Sequence, residues 1–396
     1  MISPTEPVAQ RSATRGITEF LITTVCMLSF ASIALFFGVT EVTGSNSGTR
    51  DYIVYWATGQ QFAHLANPYD ATAIYALESN AGFPKEHVAM FMRNPPWALP
   101  ITLPLALVSS RTGSFFWSLF LLACLLLSVR LLWIRQGRPK GLRAALGYTF
   151  APALTSINTG QTSLLALLGL VLFLYLYRTH PFLAGASLWF CLLKPHMFLP
   201  FGVVMLVWVV TSKAYRLLLG ALAALGLSVA LTYMIDSSAW TQYFAMVRSS
   251  GMNNDFIYCL SFMLRNWISP HSTWIEFVPS TLGCVWALIY FWRRRDSWDW
   301  GNEGSLVMLV SIVVAPYSWI LDQVLAIPAL LQGVYGTSSR NLLLSLALAS
   351  AAVEIAFLGE HWFPSALYIW TLWTAPAWLL WYLAARKFAA HPQAVV

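Results

Sequence analysis

Charge is what this chain has least of. Acidic residues number 16 and basic ones 23, so only 10% of the 396 side chains are charged, against about 25% in an ordinary soluble domain. With 58% hydrophobic residues the chain cannot furnish a water-soluble surface, and it reads as an integral membrane protein. Cysteine is scarce as well. Cys26, Cys124, Cys191, Cys259 and Cys284 are odd in number, sit mostly in apolar runs and show no C-x-x-C spacing. That excludes a disulfide framework and a thiolate metal site, and leaves small buried hydrophobes. Fixed-period repeats are absent, as is any low-complexity tract beyond a short Ser/Thr/Pro-containing N-terminus. No polar stretch is large enough for a soluble domain, so residues 1–396 form a single membrane unit. The net charge of +7 does not call for nucleic acid, because basic residues beside membrane spans record orientation.

What is present is a succession of apolar runs. They predict spans at 17–39, 112–134, 143–157, 161–177, 183–194, 198–212, 216–235, 274–292, 303–316, 322–336, 341–358 and 364–385. The fold class is therefore all-α, a polytopic membrane protein with about 12 transmembrane helices. The run 17–39 is too long for the apolar core of a signal peptide and lacks a small-x-small cleavage site, so it reads as an uncleaved first span. Residues 95–109 carry Pro95, Pro96, Pro100 and Pro104 and read as a re-entrant or short helix. With that segment not crossing, and with both termini cytoplasmic, 16 of the 23 basic residues fall on the inside, as the positive-inside rule expects. The expected location is the inner (plasma) membrane, with outer loops at 40–94 and 236–271.

The same parity brings five distant polar stretches to the extracytoplasmic face: Asp51, Arg93, the Asn158-Thr159-Gly160-Gln161 turn, the Lys194-Pro195-His196 break and the Pro316 to Asp322 break. Ionisable groups at such a level are functional candidates by default. Proline breaks belong where protein or a wet cavity receives the freed backbone groups. A carboxylate beside cations at a membrane surface suits group transfer from a lipid-linked phosphate. Asp51 would take the acceptor hydroxyl's proton, and Arg93 or Lys194 would meet the charge developing on the departing phosphate. Neither a metal nor another cofactor is required.

These residues also resemble a family. Asp51-Tyr52 with Tyr55, Gly59 and Asn67-Pro68-Tyr69-Asp70 looks like the first outer loop of glycosyltransferase family 87, the polyprenyl-phosphate-mannose-dependent mannosyltransferases of GT-C fold. Asn94-Pro95-Pro96, Gly160-Gln161, Lys194-Pro195 and Pro316-Tyr317-Ser318-Trp319 with Asp322 resemble its later motifs, in order, over about 50 to 322. The resemblance implies a polyprenyl-phosphate sugar donor, inversion at the sugar carbon, Asp51 as general base, no obligatory metal, and a glycolipid or envelope-glycan acceptor. Acidic Asp322 departs from members that carry a basic residue near the late motif.

Each candidate also has a plainer role. Asp51 is suited to capping a helix that starts at Tyr52, Arg93 to snorkelling, and Asp322 to capping after a proline break. Gln161 fits a sugar or phosphate contact as well as turn closure. His196 fits packing as well as ligation, and Tyr69 fits a turn as well as a cavity wall. His64 reads as solvated. Trp362 and Trp381 read as members of interfacial belts, and Trp56 and Trp97 as candidates for stacking on a sugar. The rival class is a secondary transporter or lipid-carrier translocase, which also places rare charges at broken helices.

Overall fold

The computed structural model describes residues 24–25, 27–28, 50–83, 89–139, 142–249, 257, 259–358 and 372–388. Most of the expected span 17–39, the start of 364–385, and Trp362 lie outside them. Among the described residues every regular element is a helix. In chain order these are α1 Arg50–Ala63, α2 Ala71–Asn80, α3 Ser110–Arg135, α4 Ala145–Tyr148, α5 Ala151–Thr159, α6 Ser163–Leu176, α7 Pro181–Ser187 and α8 Leu199–Thr211. They continue with α9 Tyr215–Ile235, α10 Ala239–Ser249, α11 Leu260–Ile268, α12 Phe277–Arg294, α13 Glu303–Val313, α14 Ile327–Gly336, α15 Arg340–Leu358 and α16 Thr374–Lys387.

Among the described residues, four helical segments are long and apolar enough to cross a membrane: Ser110–Arg135, Tyr215–Ile235, Thr273–Ser297 and Arg340–Phe357. A fifth results if Pro181–Leu193 and Pro195–Thr211, bent by 120° at Lys194, count as one span. Fewer uninterrupted crossings are therefore found among the described residues than the roughly twelve expected, and proline is one reason. Pro152, Pro181, Pro200 and Pro328 each sit in the first turn of a helix. There a missing N–H costs nothing, so a proline can open an α-helix but kinks or breaks one when it sits further inside. The expected stretch 143–157 is thereby divided, with the nine-residue α5 starting afresh at Ala151, whereas α6 keeps its 14 residues without a proline.

Residues 95–109 form a 3-10 helix, Pro96–Leu107, with Pro100 and Pro104 inside it. At a rise of about 2 Å per residue its twelve residues cover about 24 Å, short of the roughly 30 Å hydrocarbon core. Its carbonyls are received by neighbours. Trp56 Nε1 donates to Val108 O and Gln60 Nε2 to Ala106 O, both at 3.0 Å. From α9, Thr232 Oγ1 donates to Pro96 O at 3.0 Å and Ser228 Oγ to Trp97 O at 2.5 Å. The segment is thus sheathed by α1 and α9, which is how irregular backbone is tolerated at membrane depth. Helices α7 and α9 cross still more closely. A Cβ on Gly185 would meet Leu217 O at 1.9 Å, and one on Gly220 would meet Phe182 O at 1.9 Å, the small-residue contact that lets membrane helices approach.

Polar groups collect at two ends of the bundle. On α3, Trp117 Nε1 donates to Gly160 O at 2.7 Å, while Arg135 pairs with Asp299 at 3.7 Å. The two lie about 27 Å apart along the helix, from its 1.5 Å rise. At the Arg135 end, Asp299 also accepts from Tyr177 Oη at 2.7 Å and Arg178 at 2.5 Å. Glu303 there meets Arg294 at 2.8 Å and Arg386 at 3.9 Å. Burial works to raise the Asp299 carboxyl, but Tyr177, Arg135 and Arg178 together hold it below the ordinary carboxylate range. Trp300 is fully buried beside this cluster, with Phe173, Phe201, Trp208 and Trp298 around it. Trp381 is buried too, its indole donating to Leu342 O at 2.8 Å, so it fills the interior and belongs to no interfacial belt. Cys124, Cys191 and Cys259 are buried free thiols and Cys284 is half-buried.

Candidate active site

Helix α1 begins at Arg50, so Asp51 lies inside the first turn. It therefore does not cap a helix starting at Tyr52. A carboxylate in the first turn still faces the positive end of the helix dipole. One turn on, Tyr55 points into the bundle. Asp70 is the N-cap of this region, accepting at 2.9 Å from the amides of Thr72 and Ala73. His64 is exposed, as a solvated residue should be.

Helix α5 ends at Thr159, and Gly160 turns the chain in the left-handed region at φ 80°. A Cβ at Gly160 would come within 2.6 Å of Tyr52 Cβ, so the turn can press against α1 only because it is glycine. That approach presents Gln161 to Asp51, with Gln161 Nε2 donating to Asp51 Oδ2 at 3.3 Å. Gln161 Oε1 accepts from Tyr55 Oη at 2.7 Å and from Thr162 N at 2.9 Å, and Tyr55 Oη also lies 3.3 Å from Thr162 Oγ1. Gly160→Ala combines a disfavoured φ with a backbone collision and is expected to cost roughly 1–3 kcal/mol. A thermal-unfolding comparison in detergent checks it, and an unchanged midpoint would show that the turn relaxes freely.

At the start of α6, Ser163 Oγ donates to Asp322 Oδ1 at 2.7 Å. Lys194, at the 120° bend between α7 and α8, donates to the same oxygen at 2.5 Å. Trp319 N donates to Asp322 Oδ2 at 3.0 Å, and Asp322 N returns a bond to Trp319 O at 2.9 Å. Asp322 is therefore both the cap of its 3-10 turn and half of an ion pair. Lys194 is 8% exposed and Asp322 1%. The lysine is thus no open cation; its charge is met inside the protein by the late aspartate. Asn94 Nδ2 and Trp97 Nε1 pin the approach to the bend by donating to Leu193 O at 2.8 Å and Leu192 O at 3.0 Å.

His196 stacks on Tyr317 with ring centres 3.8 Å apart, and its Nε2 is buried without a partner among the described residues. Tyr317 lies within electrostatic range of Asp322, Tyr243 and Arg93, while Tyr55 lies within range of Asp51 and Asp322. Arg93 is exposed, and its carbonyl accepts from Tyr243 Oη at 3.2 Å. Tyr243 meets Tyr69 edge-on at 5.5 Å. Tyr69 is buried, its hydroxyl has no partner among the described residues, and burial with Tyr243 and Asp236 nearby pushes its phenol up.

All eight candidates, Asp51, Tyr55, Tyr69, Arg93, Gln161, Lys194, His196 and Asp322, thus fall in one connected layer at the end of the bundle opposite Asp299. Asp51 and Arg93 lie at its margin, and the Lys194–Asp322 pair at its base. Trp56 and Trp97 spend their indole N–H groups on backbone carbonyls. Ser163, Thr162 and Tyr243 do not stand out as candidates in the sequence, and Tyr317 does so only as part of the Pro316 to Asp322 break. Gly160-Gln161-Thr162-Ser163, four small or polar residues between apolar runs, was the signal for the first two. Tyr243 carries no local mark.

The model of glycosyltransferase family 87 matches residues 91–316, more than half of the chain. The match takes in Arg93, Gln161, Lys194 and His196 and leaves Asp51, Tyr55, Tyr69 and Asp322 outside it. No curated protein and no solved structure matches the chain.

Proposed function

Because the chain belongs to glycosyltransferase family 87 and is thereby a membrane glycosyltransferase, we propose that it moves a hexose, mannose in the first instance, from a polyprenyl-phosphate donor to a glycolipid or envelope-glycan hydroxyl. The acceptor oxygen attacks the anomeric carbon, and the bond from that carbon to the phosphate oxygen breaks. Its electron pair leaves on polyprenyl phosphate, and the hydroxyl proton passes to Asp51. A single displacement of this kind inverts the sugar carbon. The membership argues against the transporter reading.

The observation that carries the proposal is the Gln161 bridge. It joins Asp51, outside the family match, to the Tyr55 and Thr162 groups beside the matched Lys194. Asp322 is a poor base, since the Ser163 hydroxyl, the Trp319 amide and the Lys194 ammonium hold its charge. Asp51 is half-buried at the margin, where an acceptor can arrive. Exposed Arg93 supplies positive charge on the same rim, and the developing phosphate charge is best met there. The membrane setting proposed is a GT-C-type bundle in the plasma membrane, with the Asp51 end extracytoplasmic and both termini inside. It rests on the basic residues gathered around Asp299 and Glu303 at the other end.

Purified protein in lipid, given radiolabelled polyprenyl-phosphate mannose, polyprenyl-phosphate glucose or the matching nucleotide sugars with a membrane lipid extract, tests the donor. Label is expected to enter lipid or glycan product from a polyprenyl-phosphate sugar only. Transfer from a nucleotide sugar alone would overturn the donor assignment.

A further inference from the structure

Helix α11, Leu260–Ile268, is built inside out. Its buried positions are Ser261, Phe262 and Arg265, while Leu260, Met263, Leu264 and Trp267 lie on the outer side, exposed or half-exposed. Those four are spaced i, i+3, i+4, i+7, the stripe that normally turns toward a core. Trp267 is 85% exposed. Arg265, 5% exposed, is turned inward and pairs with Glu276 at 2.6 Å, with its guanidinium 4.6 Å from the Phe262 ring centre. A helix facing water would place the arginine outside and the leucines inside. This arrangement is stable only if the outer stripe meets something apolar.

The chain indicates what that is. Nine residues extend about 14 Å, so α11 cannot cross a bilayer of roughly 30 Å. Five residues after it ends, at Thr273, one of the membrane-length helical segments begins. Glu276 in that segment's first turns holds Arg265, which fixes α11 at the level where the span leaves the membrane. Trp274 and Phe277 are exposed beside it, and aromatic rings gather at that level. Asn266, on the polar flank, is exposed.

We propose that α11 lies flat in the bilayer surface, with Leu260, Met263, Leu264 and Trp267 sunk into the acyl-chain boundary and Asn266 toward the headgroups. The opposite face carries Phe262, which packs with Ile257, Cys259 and Tyr317. Tyr317 is the ring stacked on His196, so the helix in contact with lipid is also the wall of the site. A lipid-borne substrate would reach the reacting groups past this helix without leaving the bilayer.

The test uses the full-length protein in phosphatidylcholine and phosphatidylglycerol bilayers, spin-labelled at cysteines introduced singly by Trp267→Cys, Leu260→Cys, Asn266→Cys and His271→Cys. Unmutated protein labelled in parallel sets the background. Collisions with dissolved oxygen report the acyl region, and collisions with a water-soluble nickel chelate report the aqueous side. Labels at 260 and 267 are expected to meet oxygen several-fold more often, and nickel several-fold less often, than labels at 266 and 271. Equal nickel access at all four positions would put the stripe in water and overturn the proposal. Protection of 260 and 267 from both reagents would overturn it too, showing protein over the stripe. Two positions on each side keep the comparison if one variant fails to fold, and the reading needs no turnover.

Discussion

Asp51→Asn is expected to lower turnover by roughly 10²–10⁴-fold, the share that a positioned general base contributes, while leaving the fold intact. The asparagine oxygen can still accept from Gln161 Nε2, so the bond at 3.3 Å has a replacement and the stability change should stay within about 0.5 kcal/mol. What is removed is the capacity to take a proton. The loss should therefore appear in kcat at saturating donor and acceptor, with KM for the donor little altered, because binding of the lipid-linked sugar does not use that proton. Initial rates over a range of both substrates, with thermal unfolding of the same preparation, decide the matter. A variant that turns over normally would move the base elsewhere.

The second large effect concerns the base of the site. Lys194→Met leaves the Asp322 carboxylate in an almost fully buried place without its cation. Breaking one side of such a pair costs about 3–5 kcal/mol. Replacing both partners, Lys194→Met with Asp322→Leu, removes the stranded charge and is expected to recover most of that loss, since a buried ion pair replaced by apolar groups is often close to neutral. Some deficit remains because Ser163 Oγ and Trp319 N lose the acceptor they now share. Turnover is not expected to return with stability, as the pair holds the floor beneath Gln161 and Tyr317. Unfolding midpoints of the two single variants and the double close the cycle. If the single losses simply add in the double, the pair contributes no coupling and the role given to it here is wrong.

Much of the site could be read before any coordinates. The parity that puts 95–109 short of a crossing predicts Asp51, Gln161, Lys194 and Asp322 on one level; the structure bonds Asp51 to Gln161 and Lys194 to Asp322, with residues 161–163 running between the two pairs. Gly160-Gln161 announced its turn, because a glycine before a polar residue between apolar runs has few other uses. The Lys194–Asp322 pair had no such signal. The residues stand 128 positions apart, and nothing in the local sequence of either points to the other. The sequence shows Lys194 as a cation suited to phosphate, and the structure adds that Asp322 is its partner. The helical class is legible in the hydropathy, but helix limits are less so: hydropathy adds up apolar residues without regard to order, whereas Pro152, Pro181 and Pro328 mark where a helix can begin. Helix α11 hid its orientation as well, since an apolar stripe at helical spacing looks the same whether it faces a core or a membrane.

Helix α6 touches both polar clusters: Ser163, its first residue, holds Asp322, and Tyr177, just past its end, holds Asp299. Fourteen residues of helical rise separate them, about 21 Å, while the oily slab of a bilayer measures roughly 30 Å. The longer α3 and the Thr273–Ser297 segment are of membrane length, so α6 with the polar groups at its two ends is a short element packed among longer ones. On the proposed function, a phosphate on a long isoprenoid would find its seat below the level of those helix ends, and a water-soluble sugar nucleotide would have to descend to compete.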